Sequence, residues 1–167
     1  PTWSHVTLRH VLRGHGTRCA RLAWIDLHTG LGPNGVAELI SACRDTDVAA
    51  LKRARQWWGP GVTSIADGSS ISAPLVGLMW QAACEECPQA EYTGMAMEYG
   101  TIPMLDVMQA LRADQWLENH PEAQSSAALT IKKQTRDAFY TDTDAWKEQV
   151  LIQAHDAAQK ALRGVAS

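Results

Sequence analysis

Asp26 and His28 are the first residues whose types and spacing suggest chemistry. They close the apolar stretch ARLAWIDL (residues 20–27) and precede a run of turn formers, TGLGPNG. On a strand, residues two apart leave the same face, so both side chains are expected to project together. A histidine at a strand end is a candidate zinc ligand, and a nearby carboxylate can orient its imidazole. The alternative is a buried histidine bonded to the backbone.

Glu98 is the second candidate, at the end of the apolar stretch EYTGMAMEY (residues 91–99). A carboxylate there is partly desolvated, which raises its pKa. A raised pKa suits a general base that takes a proton from water and later returns it. The alternative is a glutamate that reaches solvent at a strand end. Seventy positions separate Glu98 from His28, so only the fold can bring them together.

The surrounding pattern predicts elements that position these residues. Strands are expected at residues 20–27, 62–65 and 91–99, with a loop at 29–35. Asp45 and Thr46 are expected to cap a helix at 47–57. The other predicted helices span residues 7–13, 72–80, 103–119, 126–139 and 143–163. Alternating strands and helices predict an α/β fold with parallel strands, whose functional groups gather at the carboxyl ends of the strands.

Composition excludes several functional classes. The net charge of -3 gives no basic surface for nucleic acid, and no apolar stretch reaches the length that a membrane crossing needs. Four cysteines in 167 residues do not form a dense disulfide framework. The Cys84-Glu85-Glu86-Cys87 spacing lacks a partner pair, so reduced thiols and a cytoplasmic location are expected.

Four segments resemble one known family, in the right order and over nearly the whole chain. They are WIDLHTGLGPNG (residues 24–35, followed by Glu38), RARQWWGPGVTSIADGSS (53–70), EYTGMAMEYGTIP (91–103) and ALRADQWLENH (110–120). The family is an uncharacterised group of zinc-carboxypeptidase-like proteins. It is similar to carboxypeptidase A and to the succinylglutamate desuccinylase and aspartoacylase branch.

The resemblance implies a three-layer α/β/α sandwich around a mixed sheet, of which this chain is expected to hold the C-terminal half as a single domain. It implies that His28 is a zinc ligand and that Glu98 is the catalytic base of a hydrolase acting on a small-molecule amide or a peptide. Asp26, Thr29 and Gly30 are expected beside the ligand or in its loop. The residues expected to line the pocket are Asn34, Tyr99, Trp57 and Trp58.

The chain departs from the family pattern at the metal site. The family's His-x-x-Glu pair is absent, because none of the six histidines is followed three positions later by glutamate. The family's substrate-binding arginine belongs to the same missing N-terminal half. A catalytic zinc takes three protein ligands and a water, so this chain alone is expected to be inactive. It is expected to pair with the missing half or to self-associate, because unpaired strands and apolar surface favour association.

Two other functions remain open at this point. A truncated descendant of the fold could act as an oligomerising or binding module without catalysis. A metal-binding protein could combine His28 with His5, His10 and His15, although spacings of five place those three at unfavourable angles on a helix.

Overall fold

A computed structural model describes residues 1–123 and 125–167. Within these residues the chain forms six α-helices, one short 3-10 helix (Gly16–Arg18) and three strands. The helices are α1 (Trp3–His15), α2 (Val48–Trp58), α3 (Trp80–Glu86), α4 (Met104–Glu118), α5 (Ser125–Phe139) and α6 (Asp144–Ala166). The strands are β1 (Arg21–Asn34), β2 (Ala37–Ser41) and β3 (Glu91–Gly100).

The three strands form a mixed sheet in the order β1–β3–β2, and helices flank it. The predicted α/β class is therefore confirmed. The strand expected at residues 91–99 is β3, and the three helices expected in series after it are α4, α5 and α6. Their apolar positions recur at the strand and helix periods, and that periodicity makes them readable from sequence.

The predicted loop at residues 29–35 is wrong, because β1 continues through it to Asn34. Gly30 and Gly32 adopt φ angles of 136° and 102°, which residues with a side chain rarely tolerate. The glycines therefore let the strand continue where their turn-forming character indicated a loop. At the end of β3, a side chain on Gly100 would lie 2.1 Å from the carbonyl oxygen of Pro33, so the two backbones are in close contact.

Three other local predictions need correction. Asp47 caps α2, accepting a hydrogen bond from the Ala50 amide at 2.8 Å, in place of Asp45 or Thr46. Helix α3 begins at Trp80, because Pro74 and Gly77, the latter with φ of 76°, interrupt the segment before it. The strand expected at residues 62–65 is a single parallel bridge between Thr63 and Ile40. Strand β2 was not predicted at all.

The chain divides into two compact units. The first comprises Pro1–Asp26, Leu39–Ala96 and Asp156–Ser167. The second comprises Leu27–Glu38 and Met97–His155. Each unit thus contains part of β1, part of β2, part of β3 and part of α6; α1, α2 and α3 belong to the first unit, and α4 and α5 to the second.

The first unit has a core in which α1 and α3 pack together. Its buried residues are Leu12, Ala42, Trp80, Ala82, Ala83, Cys87 and Tyr92. Arg9 and Arg13 of α1 bind the Glu86 carboxylate of α3 at 2.6 and 2.7 Å. On α2, the Trp58 indole N–H donates to the Ala157 carbonyl at 3.0 Å.

The second unit is built on the end of β3, where Met97 and Tyr99 are buried. The Trp146 indole N–H of α6 donates to the Gly100 carbonyl at 3.0 Å. The Thr101 hydroxyl donates to the Ala138 carbonyl at 2.6 Å. These bonds tie the helices to the strand that carries Glu98. Across both units, the described helices are too short or too polar to cross a membrane.

Candidate active site on β1 and β3

Glu98 is a half-buried carboxylate near the carboxyl end of β3. Its neighbours Met97 and Tyr99 are fully buried, since alternate strand residues face opposite sides. The backbone N–H of Leu31, on β1, donates to Glu98 Oε1 at 3.1 Å. The sheet therefore holds this carboxylate by a backbone group of the adjacent strand.

The pKa of Glu98 is raised above its ordinary value. Burial is the largest cause, because desolvation disfavours the charged form. The Leu31 hydrogen bond and the positive form of His28 oppose the shift, whereas the negative charge of Glu38 adds to it. A carboxylate with a raised pKa that still accepts a fixed hydrogen bond holds a proton more readily than an ordinary glutamate, which suits a general base.

His28 lies on β1 in the second unit, and its side chain is exposed to solvent. It is close enough to Glu98 to lower the pKa of that carboxyl group. The structure thus brings together the two residues that sequence reasoning considered most important. Asp26 is the last residue of β1 that belongs to the first unit. Burial and two cysteines are the larger causes of the raised pKa of Tyr92, and the negative charge of Asp26 helps to raise it.

Thr29 and Gly30 follow His28 and connect β1 to the end of α5. The Thr29 hydroxyl donates to the Phe139 carbonyl at 2.7 Å. Gly30 is buried, and a Cβ built on it would lie 2.9 Å from the Phe139 ring and 3.9 Å from Glu98 Oε1. Gly30 thus lies in the immediate surroundings of the carboxylate, and Thr29 holds the end of α5.

Asn34 and Tyr99 hold the frame of the second unit. The Asn34 amide donates to the Thr101 carbonyl at 2.6 Å and to the Thr141 hydroxyl at 3.3 Å. Tyr99 is fully buried, and its hydroxyl donates to the Val150 carbonyl at 3.3 Å. Burial raises the pKa of Tyr99 to about 12, so its hydroxyl is neutral at physiological pH.

Trp57 and Trp58 belong to the first unit, at the end of α2. Their rings meet edge to face with centroids 5.5 Å apart. Trp58 is buried, and Trp57 packs on Gly164, where a Cβ would come within 2.3 Å of the ring. The two tryptophans thus contact the C-terminal part of α6.

The residues of this chain do not by themselves fit a catalytic zinc. Among residues 1–123 and 125–167, no three His, Cys, Asp or Glu side chains converge as a metal site. His28 offers one imidazole, and Glu98 is a carboxylate that accepts a hydrogen bond from the Leu31 amide, whereas a catalytic zinc takes three protein ligands. A ligand set here would need groups from outside this sequence.

Three contributors to the site were not assigned by sequence reasoning: Glu38, the Leu31 amide and Phe139. Glu38 is the lone carboxylate in the apolar stretch VAELI. A charged residue in such a stretch is the sequence feature that could have indicated Glu38 as part of the site. Phe139 is the only phenylalanine of the chain, yet nothing in its sequence position indicates that its ring packs against Gly30. The Leu31 amide is a backbone group and has no sequence signal.

The fold and site define a mixed α/β protein with a half-buried carboxylate on β3 and an exposed histidine on the adjacent strand β1. Residues 1–153 match the family described as "Protein of unknown function (DUF2817)", and the chain belongs to that family. No curated protein and no solved structure matches the chain.

Proposed function

We propose that this chain is part of a zinc-dependent hydrolase that cleaves an amide or peptide bond, with Glu98 as its general base and His28 as one metal ligand. The supporting observation is the half-buried Glu98 carboxylate, whose pKa is raised by burial and which lies within electrostatic reach of His28. The resemblance to zinc-carboxypeptidase-like proteins supports the same assignment. The remaining ligands are proposed to come from a His-x-x-Glu segment outside this sequence, which is the piece of the carboxypeptidase-like fold that the chain lacks.

The chain's own part in the reaction is to move a proton. Leu31 N–H occupies Oε1 of Glu98, so Oε2 is the oxygen assigned to take the proton from the attacking water. The desolvated site lets Glu98 keep that proton until it is delivered to the leaving nitrogen. The hydrogen bond from Leu31 holds the orientation of the carboxylate between the uptake of the proton and its delivery to the leaving nitrogen.

The test is hydrolysis of N-acyl amino acids and short peptides by the complete, zinc-loaded gene product. Glu98→Gln is expected to lower kcat by about 10²–10⁴-fold, the usual contribution of a general base, with zinc content unchanged. Glu122→Gln, at an exposed turn, is the matched control and should retain full turnover. Full turnover in Glu98→Gln would remove Glu98 from this role.

Metal binding has its own test by elemental analysis of the same protein. His28→Ala is expected to lower the zinc content, whereas His10→Ala, an exposed histidine on α1, is expected to leave it unchanged. Equal zinc in both variants would contradict the assignment of His28 as a ligand.

A second candidate function is a non-catalytic module that self-associates. The observation in its favour is α4, which leaves large apolar side chains exposed at Met104, Leu105, Met108 and Leu111. Exposed apolar patches often mark interaction surfaces. A dimeric mass by light scattering that becomes monomeric in Met108→Asp, with no hydrolysis by the complete protein, would favour this candidate over the enzyme.

A further inference from the structure

Phe139 and Glu98 share the space beside the bare Cα of Gly30. A Cβ at Gly30 would lie 2.9 Å from Phe139 Cε1, 3.2 Å from Phe139 Cδ1 and 3.9 Å from Glu98 Oε1. The φ angle of Gly30 is 136°, and the residue is buried. Any side chain at this position would therefore displace the ring, and the ring and the carboxylate oxygen both lie within 4 Å of the same point beside Gly30.

The end of α5 is tied down on two sides, which holds the ring in place. The Thr29 hydroxyl donates to the Phe139 carbonyl at 2.7 Å, and the Thr101 hydroxyl donates to the Ala138 carbonyl at 2.6 Å. The last carbonyls of a helix lack partners within it. Here two threonines, one from β1 and one following β3, supply those partners, so the position of Phe139 is coupled to both strands of the site.

An apolar ring beside a carboxylate replaces water that would otherwise solvate it. Burial is the main cause of the raised pKa of Glu98. The charged groups that face this carboxylate are His28 of β1, which lowers its pKa, and Glu38 of β2, which raises it. The two charges act in opposite directions, which leaves desolvation as the dominant influence.

We propose that Phe139 is the positioning residue of this site: its ring, seated on Gly30, keeps water from Glu98 and holds the glycine backbone that directs Leu31 N–H to the carboxylate. The inference rests on the proposed function of Glu98 as a base. It adds that the end of α5, far along the chain from both strands, sets the proton affinity of that base.

The test follows the Leu31 amide by NMR while the pH is varied, because this N–H reports the ionisation of the carboxylate that it touches. In the wild-type chain the midpoint is expected above the ordinary glutamate value of about 4.3. Phe139→Gln, similar in length but polar, is expected to move the midpoint down toward that value. Leu31 amide exchange should also become at least about tenfold faster, because a local opening then costs less.

Phe139→Leu keeps an apolar group and is expected to keep the midpoint near that of the wild type. Leu129→Ala, an exposed position on the same helix, controls for a general effect of altering α5. An unchanged midpoint in folded Phe139→Gln would overturn the proposal. An equal decrease of the titration midpoint in Phe139→Gln and Phe139→Leu would also overturn it, because shielding by an apolar group would then have no effect.

If Phe139→Gln does not fold, Gly30→Ala is the second variant, because its methyl group would displace the ring. An unchanged titration midpoint of Glu98 in Gly30→Ala would again overturn the proposal. These readouts need no substrate. Failure of the Phe139 proposal therefore remains distinguishable from failure of the catalytic role, which the turnover of Glu98→Gln decides separately.

Discussion

The backbone N–H of Leu31 donates a hydrogen bond to Oε1 of Glu98 at 3.1 Å, across the neighbouring strands β1 and β3. Because the donor is a backbone group, its presence does not depend on the side chain at position 31. It depends on the course of β1 through Gly30, where a side chain would collide with Phe139. The orientation of the candidate base is therefore determined by backbone geometry.

Glu98→Gln is expected to stabilise the protein at neutral pH while it removes activity. The pKa of Glu98 is raised in the folded state, so the folded state binds more protons than the unfolded state between the ordinary and the raised pKa. The stability of the wild type therefore falls as pH rises through that window. The gain in Tm from Glu98→Gln should be largest above the raised pKa and should vanish below pH 4.

Thermal unfolding at several pH values measures this difference. Glu122→Gln, at an exposed turn, should follow the wild type at every pH. A gain in Tm for Glu98→Gln that is the same at pH 3.5 and pH 7.5 would show that ionisation of Glu98 is not its cause.

Glu86→Gln is expected to lower stability at neutral pH and to have no effect in strong acid. Hydrogen bonds from Arg13 and Arg9 lower the pKa of Glu86 to about 2. A lowered carboxyl pKa contributes stability above the ordinary pKa, and that contribution is lost as pH falls through about 2. Chemical denaturation at pH 7 and at a pH well below the folded-state pKa of Glu86 should show the difference at the first pH only.

Glu85→Gln is the matched control on the same helix. Glu85 pairs with Arg9, and its side chain is 50% exposed against 12% for Glu86. Exposed ion pairs contribute little, so its effect at pH 7 should be the smaller one. A larger loss of stability in Glu85→Gln than in Glu86→Gln would contradict this prediction.

Tyr99→Phe is expected to destabilise the protein by about 1 kcal/mol, the typical net value of one hydrogen bond. The hydroxyl is fully buried and donates to the Val150 carbonyl at 3.3 Å. Because that bond is internal, the KM of the proposed hydrolase should not change. A raised KM with unaltered stability would instead place the hydroxyl in the substrate pocket.

Gly100→Ala is expected to destabilise the protein by about 3 kcal/mol or more, as overpacking against a rigid neighbour does. Its Cβ would lie 2.1 Å from the Pro33 carbonyl oxygen and 2.2 Å from that of Gly32, and both are backbone atoms that cannot rotate away. Gly14→Ala is the control, because nothing lies within 4 Å of its Cβ position in α1. That variant should be stabilised by about 0.5–1 kcal/mol, and denaturant titration of both compares them directly.

The regular elements could be read from the sequence because their apolar spacing is local. The alternation in β3 and the helical periods of α4 to α6 are properties of contiguous residues. Strand β2 was missed, because five residues are too few for a clear period. The extension of β1 through Gly30 and Gly32 was also missed. Turn-forming residues predict a loop, and only pairing with a neighbouring strand in the folded protein makes them part of a strand.

The α/β class and two candidate residues, His28 and Glu98, could be predicted from local sequence patterns, although β1 continues past His28 to Asn34. The tertiary structure places them in one unit, gives Glu98 the Leu31 amide as a donor and packs Phe139 against Gly30, whose Cβ position is 3.9 Å from Glu98 Oε1. The physical reason is that desolvation and backbone hydrogen bonding depend on which groups lie nearby in space. Residues 30, 98 and 139 are dozens of positions apart in the chain, and no local pattern in the sequence records that they meet.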